Sequence, residues 1–300
     1  MDRSKRRRLA TLVVALVAFG AAGIRIPLSS PDAPADPQRS DSPLALVVNL
    51  PAHRLDVFEH GERTRSYVVT IGSRGYETPP GEYRISRAVW NPWWHPPASP
   101  WAKNERPTPP GPHNPMGRVK LYFDGLYYIH GTAREYELGE PASHGCIRMR
   151  NVDVLELART VHRYGSVSIA EDELDRLERA PQRTRTVSLE RPVPLLVTYD
   201  LAEIRDDHLV LYPDVYSRRG ASKRDQARRA LQRAGYALAS LDESLLESLL
   251  ERSRSETVVV PAAQLVGAVV DRERDAGTAL PATRAVERAG ARATRAAGEE

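Results

Sequence analysis

A single cysteine, Cys146, sits in the run Ser143-His144-Gly145-Cys146-Ile147-Arg148-Met149-Arg150-Asn151, among the groups that a thiol nucleophile needs. A thiol attacks a carbonyl as the thiolate, so it requires a base or cation nearby and backbone N–H groups to hold the oxyanion that forms. His144 and Arg148 supply the first requirement. Gly145 lets the backbone bend and a carbonyl approach with no side chain in the way, and the N–H groups around Gly145 and Cys146 are candidates for the second. A further histidine, His130, closes the alternating run Tyr128-Ile129-His130-Gly131-Thr132, which places it at a strand end, a rigid position for a general base. Of the two histidines geometry favours His130. His144, two residues from the thiol, shares its side of the chain without tip-to-tip contact, whereas His130 can approach from an adjacent strand. Cys146, His130 and His144 are also zinc-ligand types, but no fourth ligand is suggested, so neither metal nor organic cofactor is expected.

The elements around these residues read as mainly β. Leu46–Asn49, Leu55–Phe58, Tyr67–Ile71, Tyr83–Ile85, Val119–Phe123 and Leu126–Ile129 are short apolar or alternating runs separated by turn residues. Asp124-Gly125 reads as a two-residue hairpin turn between the last two. After Cys146 the period changes. Asn151 is a candidate N-cap, and Val154, Leu157, Ala158 and Val161 form one stripe of a helix ending near Gly165. Val167–Ile169 reads as a closing strand, 172–191 as charged and partly helical, and Val193–Tyr199 with Leu209–Tyr212 as a further strand pair. The segment from Trp90 to Gly117 holds all four tryptophans and nine prolines, a composition that forms neither ladder nor helix interior. A loop this long suggests a binding feature or lid. Trp90 is expected to cap the sheet, and Trp93 and Trp94 are the candidates to face a glycan or peptide.

These motifs resemble the L,D-transpeptidases with a YkuD-type catalytic domain. The resemblance rests on His130-Gly131-Thr132 with Ser143 through Met149, on Thr78-Pro79-Pro80-Gly81-Glu82-Tyr83, on Pro110 through Gly117, and on Thr198-Tyr199 with Pro213-Asp214-Val215-Tyr216. It covers roughly residues 44–217 and implies a β-sandwich-like domain with the catalytic residues at one end of the sheets. It further implies a cysteine acyltransferase acting on peptidoglycan stem peptides. Cys146 would be the nucleophile and His130 the base, oriented through the Gly131 carbonyl. His144 and Gly145 would shape the loop, and Ser143 and Arg148 would contact the donor, Arg148 by gripping a carboxylate. The same thioester handed to water would make an L,D-carboxypeptidase, and a non-catalytic wall-binding protein is the remaining alternative.

The N-terminus bears on location. The net charge of +4 is carried by the first eight residues, where Arg3, Lys5, Arg6, Arg7 and Arg8 outnumber Asp2, so the body is neutral and nucleic-acid binding is not expected. The apolar run from Leu9 to about Ile24, ending in small residues, reads as a secretory signal or an uncleaved anchor. Either implies export to the periplasm or cell envelope, where a lone cysteine is reactive or buried and not half of a disulfide. The expected organisation is 1–26 signal or anchor, 27–43 Pro/Ser-rich linker, 44–170 catalytic domain, 171–217 its extension, 218–271 a helical C-terminal region, and 272–300 a disordered tail. Truncation after Ser217 is expected to leave a folded domain.

Overall fold

The computed structural model describes residues 42–266, apart from 167, 219 and 221. The expected signal or anchor at 1–26, nearly all of the linker and the tail from 272 lie outside the described residues. Among the described residues no helix is long and apolar enough to cross a membrane.

The expected β character is what the chain adopts. Strands β1 (Leu44–Asn49), β2 (Arg54–Glu59) and β3 (Glu62–Val68) form an antiparallel meander, and β4 (Ile71–Gly72) pairs with β8 (Pro141–Ser143). The remaining strands of the main sheet are β5 (Gly81–Trp90), β6 (Val119–Tyr122), β7 (Tyr128–Thr132), β9 (Ile147–Arg150) and β10 (Arg185–Thr198), giving the order β3-β2-β1-β10-β5-β6-β7-β9. Because side chains alternate across a pleated strand, the register fixes both faces. Ala88, Leu121, Ile129 and Ile147 lie opposite one another and are fully buried on the core face. Their neighbours Lys120, His130 and Arg148 occupy the opposite face. Pairing between β7 and β9 is parallel, which demands a crossover. That crossover, residues 133–146, delivers Cys146 to the start of β9.

Helix α1 (Asn151–Gly165) packs on β6, β7, β9 and β10 through Val154, Leu157, Ala158 and Val161, all fully buried, as the stripe predicts. Asn151, however, is not the cap. It is the first helical residue, and its side chain bridges loop and strand: Oδ1 accepts from the Arg118 N–H at 2.9 Å and Nδ2 donates to the Thr132 carbonyl at 2.9 Å. Trp90 is core, its indole N–H donating to His162 Nε2 at 2.9 Å.

Several elements differ from the sequence reading, among them β3, which runs Glu62–Val68 where Tyr67–Ile71 was expected, because pairing to β2 and not its own polar composition makes it a strand. The β6–β7 connection is residues 123–127, closed by Phe123 and Asp124 N–H groups on the Tyr127 carbonyl at 3.4 Å. Neither Asp124 nor Gly125 takes the positive φ that a tight two-residue turn requires. Residues 168 and 169 form a bend and not a strand, and helix α2 (Glu171–Arg179) follows. Strand β10 starts eight residues earlier than read, its Val187, Leu189 and Val193 buried in alternation with exposed polar groups across a bulge.

The C-terminal residues build a core of their own. Strands β11 (Ala202–Arg205), β12 (His208–Leu211) and β13 (Val258–Pro261) form a three-stranded sheet covered by α3 (Lys223–Arg233) and α4 (Glu243–Arg252). Leu209, Leu211, Leu231 and Leu246 are fully buried there. Val193–Tyr199 and Leu209–Tyr212, expected to pair, do not: β10 lies between β1 and β5 in the main sheet, whereas β12 pairs with β11 and β13 and shares its core with residues beyond 218. Truncation after Ser217 is therefore expected to expose Leu209 and Leu211, at roughly 1.5–3 kcal/mol of lost burial each. The shortened chain should melt earlier and less cooperatively than the full one by calorimetry, and superimposable melts would contradict this.

Candidate active site

Cys146 lies at the mouth of the crossover, half-buried, with Sγ 3.9 Å from the Leu126 carbonyl. Since Ile129 pairs with Ile147 and His130 with Arg148, Cys146 stands level with Tyr128, on the His130 face and diagonal to His130. His130 is 1% exposed, and its Nδ1 lies 2.6 Å from the Gly131 carbonyl. A carbonyl only accepts, so Nδ1 carries the proton and Nε2 keeps its lone pair. Burial, and the charges of Arg148 and Lys120, push the imidazole down to about 3, against the hydrogen bond to the Gly131 carbonyl. Burial raises the Cys146 thiol, opposed by the Tyr128 N–H and by the same two cations. The resting pair is neutral thiol and neutral imidazole.

The cysteine loop is built by hydrogen bonds from distant segments. Ser143, expected to touch substrate, is instead fully buried: its hydroxyl donates to the Cys146 carbonyl at 2.5 Å and accepts the Gly145 N–H at 3.0 Å. The Gly145 N–H is thereby spoken for, which leaves that of Cys146 as the candidate oxyanion donor. Gly145 has φ +103°, and a Cβ there would lie 2.7 Å from the Tyr127 ring. Its carbonyl accepts from Thr78 Oγ1 at 2.8 Å, and the Thr78 oxygen accepts the Gly72 N–H at 3.0 Å. Tyr216 closes the chain by donating to the Gly72 carbonyl at 2.7 Å, while its own N–H donates to Tyr199 OH at 2.8 Å. The Thr78, Tyr199 and Tyr216 motifs are thus the scaffold of the cysteine loop. Gly131 has a comparable role, since a Cβ would lie 2.3 Å from Asn151 Oδ1. Gly145→Ala is expected to cost roughly 1–3 kcal/mol in backbone strain and to cut turnover more than it lowers Tm; an active, stable variant would contradict this.

Arg148 does not present a free fork. It pairs with Glu137, both side chains 16% exposed, so the carboxylate expected from the donor is here an internal one. His144 is exposed, its ring stacked on Trp101 at 4.0 Å and 12°, with Tyr76 edge-on at 4.7 Å. Burial and the Arg148 charge lower its affinity for a proton. The indole brought to the cysteine loop is therefore Trp101. Trp93 is exposed and stacks on His95, and the Trp94 backbone bridges to Thr108. Sequence reasoning missed Trp101, Tyr76 and Glu137, which reach the loop from turns with no periodic signal, and Tyr127, which was placed in the run Leu126–Ile129 but precedes β7. Among the described residues no group of three or more His, Cys, Asp or Glu is placed to hold a metal ion.

The depressed histidines make stability pH-dependent. His130 at about 3 and His162, which burial lowers to about 4, are neutral in the fold, against an ordinary 6.5. Between those values the unfolded chain binds more protons, so this stability is full above pH 6.5 and falls as the pH drops through it. Urea unfolding at pH 7.5 and 5.0 should differ by roughly 2 kcal/mol for each of these two histidines. Equal unfolding free energies at the two pH values would contradict neutral burial.

A family model described as the L,D-transpeptidase catalytic domain, YkuD, matches residues 43–170. The chain is 30% identical over 152 residues to "Putative L,D-transpeptidase YqjB" of Bacillus subtilis, covering 49% of this chain and 78% of that protein. It is 35% identical over 118 residues to "Probable L,D-transpeptidase YbiS" of Escherichia coli K12, covering 36% and 39%. With "Probable L,D-transpeptidase ErfK/SrfK" of Salmonella typhimurium it shares 32% identity over 164 residues, covering 52% and 47%. The matched segment thus spans less than half the length of the latter two relatives. Among solved structures, L,D-transpeptidase 3 from Mycobacterium tuberculosis aligns with TM-score 0.35 and 15% identity, over 52% of this chain and 61% of that one.

Proposed function

Because the chain belongs to the L,D-transpeptidase family through its YkuD-type domain, we propose that it cross-links peptidoglycan stem peptides as a cysteine acyltransferase. The observation that carries this reading is the pairing of a lone thiol at the start of β9 with a buried neutral imidazole on β7. In the proposed cycle His130 Nε2 takes the thiol proton as Cys146 Sγ attacks the carbonyl of the third stem residue. The oxyanion is held by the Cys146 N–H. Collapse breaks the amide bond, the imidazolium returns its proton to the departing D-alanine amine, and a thioester remains on Cys146. The side-chain amine of a second stem then attacks the thioester carbonyl, gives its proton to His130 and forms the cross-link, and the expelled thiolate regains that proton.

Fixing Nδ1 on the Gly131 carbonyl supports this role, because it orients the ring and raises the basicity of Nε2 without charging it. His144, stacked on Trp101, serves as a wall of the entrance and not as the base. Location in the cell envelope follows from the same reading, with residues 1–26 as the export segment. Incubation with purified disaccharide-tetrapeptides and mass spectrometry tests the function. Dimers with loss of one D-alanine are expected. Trimmed stems alone would mean a carboxypeptidase, and unchanged ligand would sink the enzyme reading.

A further inference from the structure

The sheet face that carries Cys146 and His130 continues into a strip of groups that the proposed cycle leaves unused. Arg87, Tyr122, Tyr128 and Cys146 share one row across β5, β6, β7 and the start of β9, and Val89, Lys120, His130 and Arg148 share the next. Tyr122 and Tyr128 meet edge to face at 4.5 Å and 70°. The half-buried Lys120 ammonium lies 4.7 Å from one ring centroid and 4.6 Å from the other, and Arg87 lies over Tyr122 at 3.9 Å. The ring faces hold these cations without neutralising them.

Charge balance separates these cations from Arg148. Arg148 is paired with Glu137, whereas among the described residues no carboxylate lies within ion-pair distance of Lys120 or Arg87. A hollow of about 440 Å³ beside Arg87 is lined by Arg87, Tyr122, Phe123 and Asp124, and the Asp124 carboxylate accepts the Gly125 N–H at 2.6 Å. Lys120 acts on the site from within it, since its charge favours the Cys146 thiolate and disfavours a proton on His130.

A donor that loses one terminal residue carries its free carboxylate on the residue after the scissile carbonyl, one residue spacing of about 3.8 Å along the chain. Of the two cations whose charges reach Cys146, Arg148 is paired with Glu137 and Lys120 is not, which leaves Lys120 to meet it. We propose that Lys120, held over Tyr122 and Tyr128, binds the free C-terminal carboxylate of the donor and so selects donors with one acidic-ended residue beyond the scissile bond, while Arg87 extends the positive strip along which they arrive. This assignment rests on the function proposed above.

Two readouts on the full chain test it. With tetrapeptide donors ending in a free acid or an amide, the wild type should favour the acid by about 10- to 100-fold, the worth of a charged hydrogen bond. Lys120→Met should bring that ratio near one and Lys120→Arg should largely restore it; a K120M variant with the wild-type ratio overturns the proposal. The second readout needs no turnover. Iodoacetate and iodoacetamide report the same thiolate, so the ratio of their rates on Cys146 isolates anion recruitment from thiol ionisation. That ratio should fall severalfold in K120M, and an unchanged ratio overturns the subsite. A wild type that turns over neither donor, yet loses its iodoacetate preference in K120M, would refute the transpeptidase reading while upholding an anion site at Lys120.

Discussion

His130→Ala is expected to lower turnover on a tetrapeptide donor by about 10²–10⁴, the range for a positioned general base. The expectation follows from an imidazole that is buried, neutral and fixed in one tautomer by the Gly131 carbonyl at 2.6 Å. With the thiol itself raised by burial, little thiolate exists at neutral pH, so attack depends on proton transfer to Nε2 as the bond forms. Cys146 alkylation in the variant should slow at neutral pH and recover at high pH, where solvent deprotonates the thiol. His144→Ala should cost less, since its ring stacks on Trp101 and acts through the shape of the entrance. A pH profile shifted by His144→Ala and left alone by His130→Ala would reverse the two roles.

Cys146→Ala should leave no turnover above background, a loss of at least about 10⁴-fold, because every step of the proposed cycle passes through the sulfur and no second thiol exists in the chain. Cys146→Ser should be nearly as inactive. An alcohol is far less acidic than a thiol and its conjugate base a poorer nucleophile at neutral pH, so the same imidazole activates it far less. Both variants should keep the wild-type melting temperature, since the half-buried side chain contributes little packing. Turnover in Cys146→Ala at even a hundredth of the wild-type rate would place the nucleophile elsewhere.

How much of this was legible in the sequence depends on whether the signal was local. Strands β1 and β2 and the stripe of α1 could be read because short apolar runs and the 3.6-residue period are written into consecutive residues, whereas β3 is polar through Ser66 and is a strand by its pairing to β2. Strand β10 was read short because Arg191, Pro192 and Pro194 interrupt an alternation that the bulge accommodates. Asn151 carries a cap residue's identity, but the Arg118 N–H and Thr132 carbonyl claim its side chain from other elements. The nucleophile and base candidates stood out because a lone Cys and a strand-end His are unusual by type and place. Partners did not: Glu137 reaches Arg148 from a short turn, and Ser143 turns inward, so neither pairing leaves a trace in spacing. Lys120 looked like one polar position on a half-exposed strand, and only the sheet register put it opposite His130. The C-terminal core was missed because its strands β12 and β13 are separated by two helices and pair only in space.

The most direct test of the account is the chemical state of Cys146 during reaction. Full-length protein mixed with a disaccharide-tetrapeptide, quenched in acid and digested, should yield the peptide containing Cys146 with the added mass of the donor shortened by one D-alanine. The adduct should be released by hydroxylamine, as a thioester is, and should be absent from Cys146→Ala. Continued release of D-alanine with Cys146 unmodified, or in the variant that lacks it, would contradict the account.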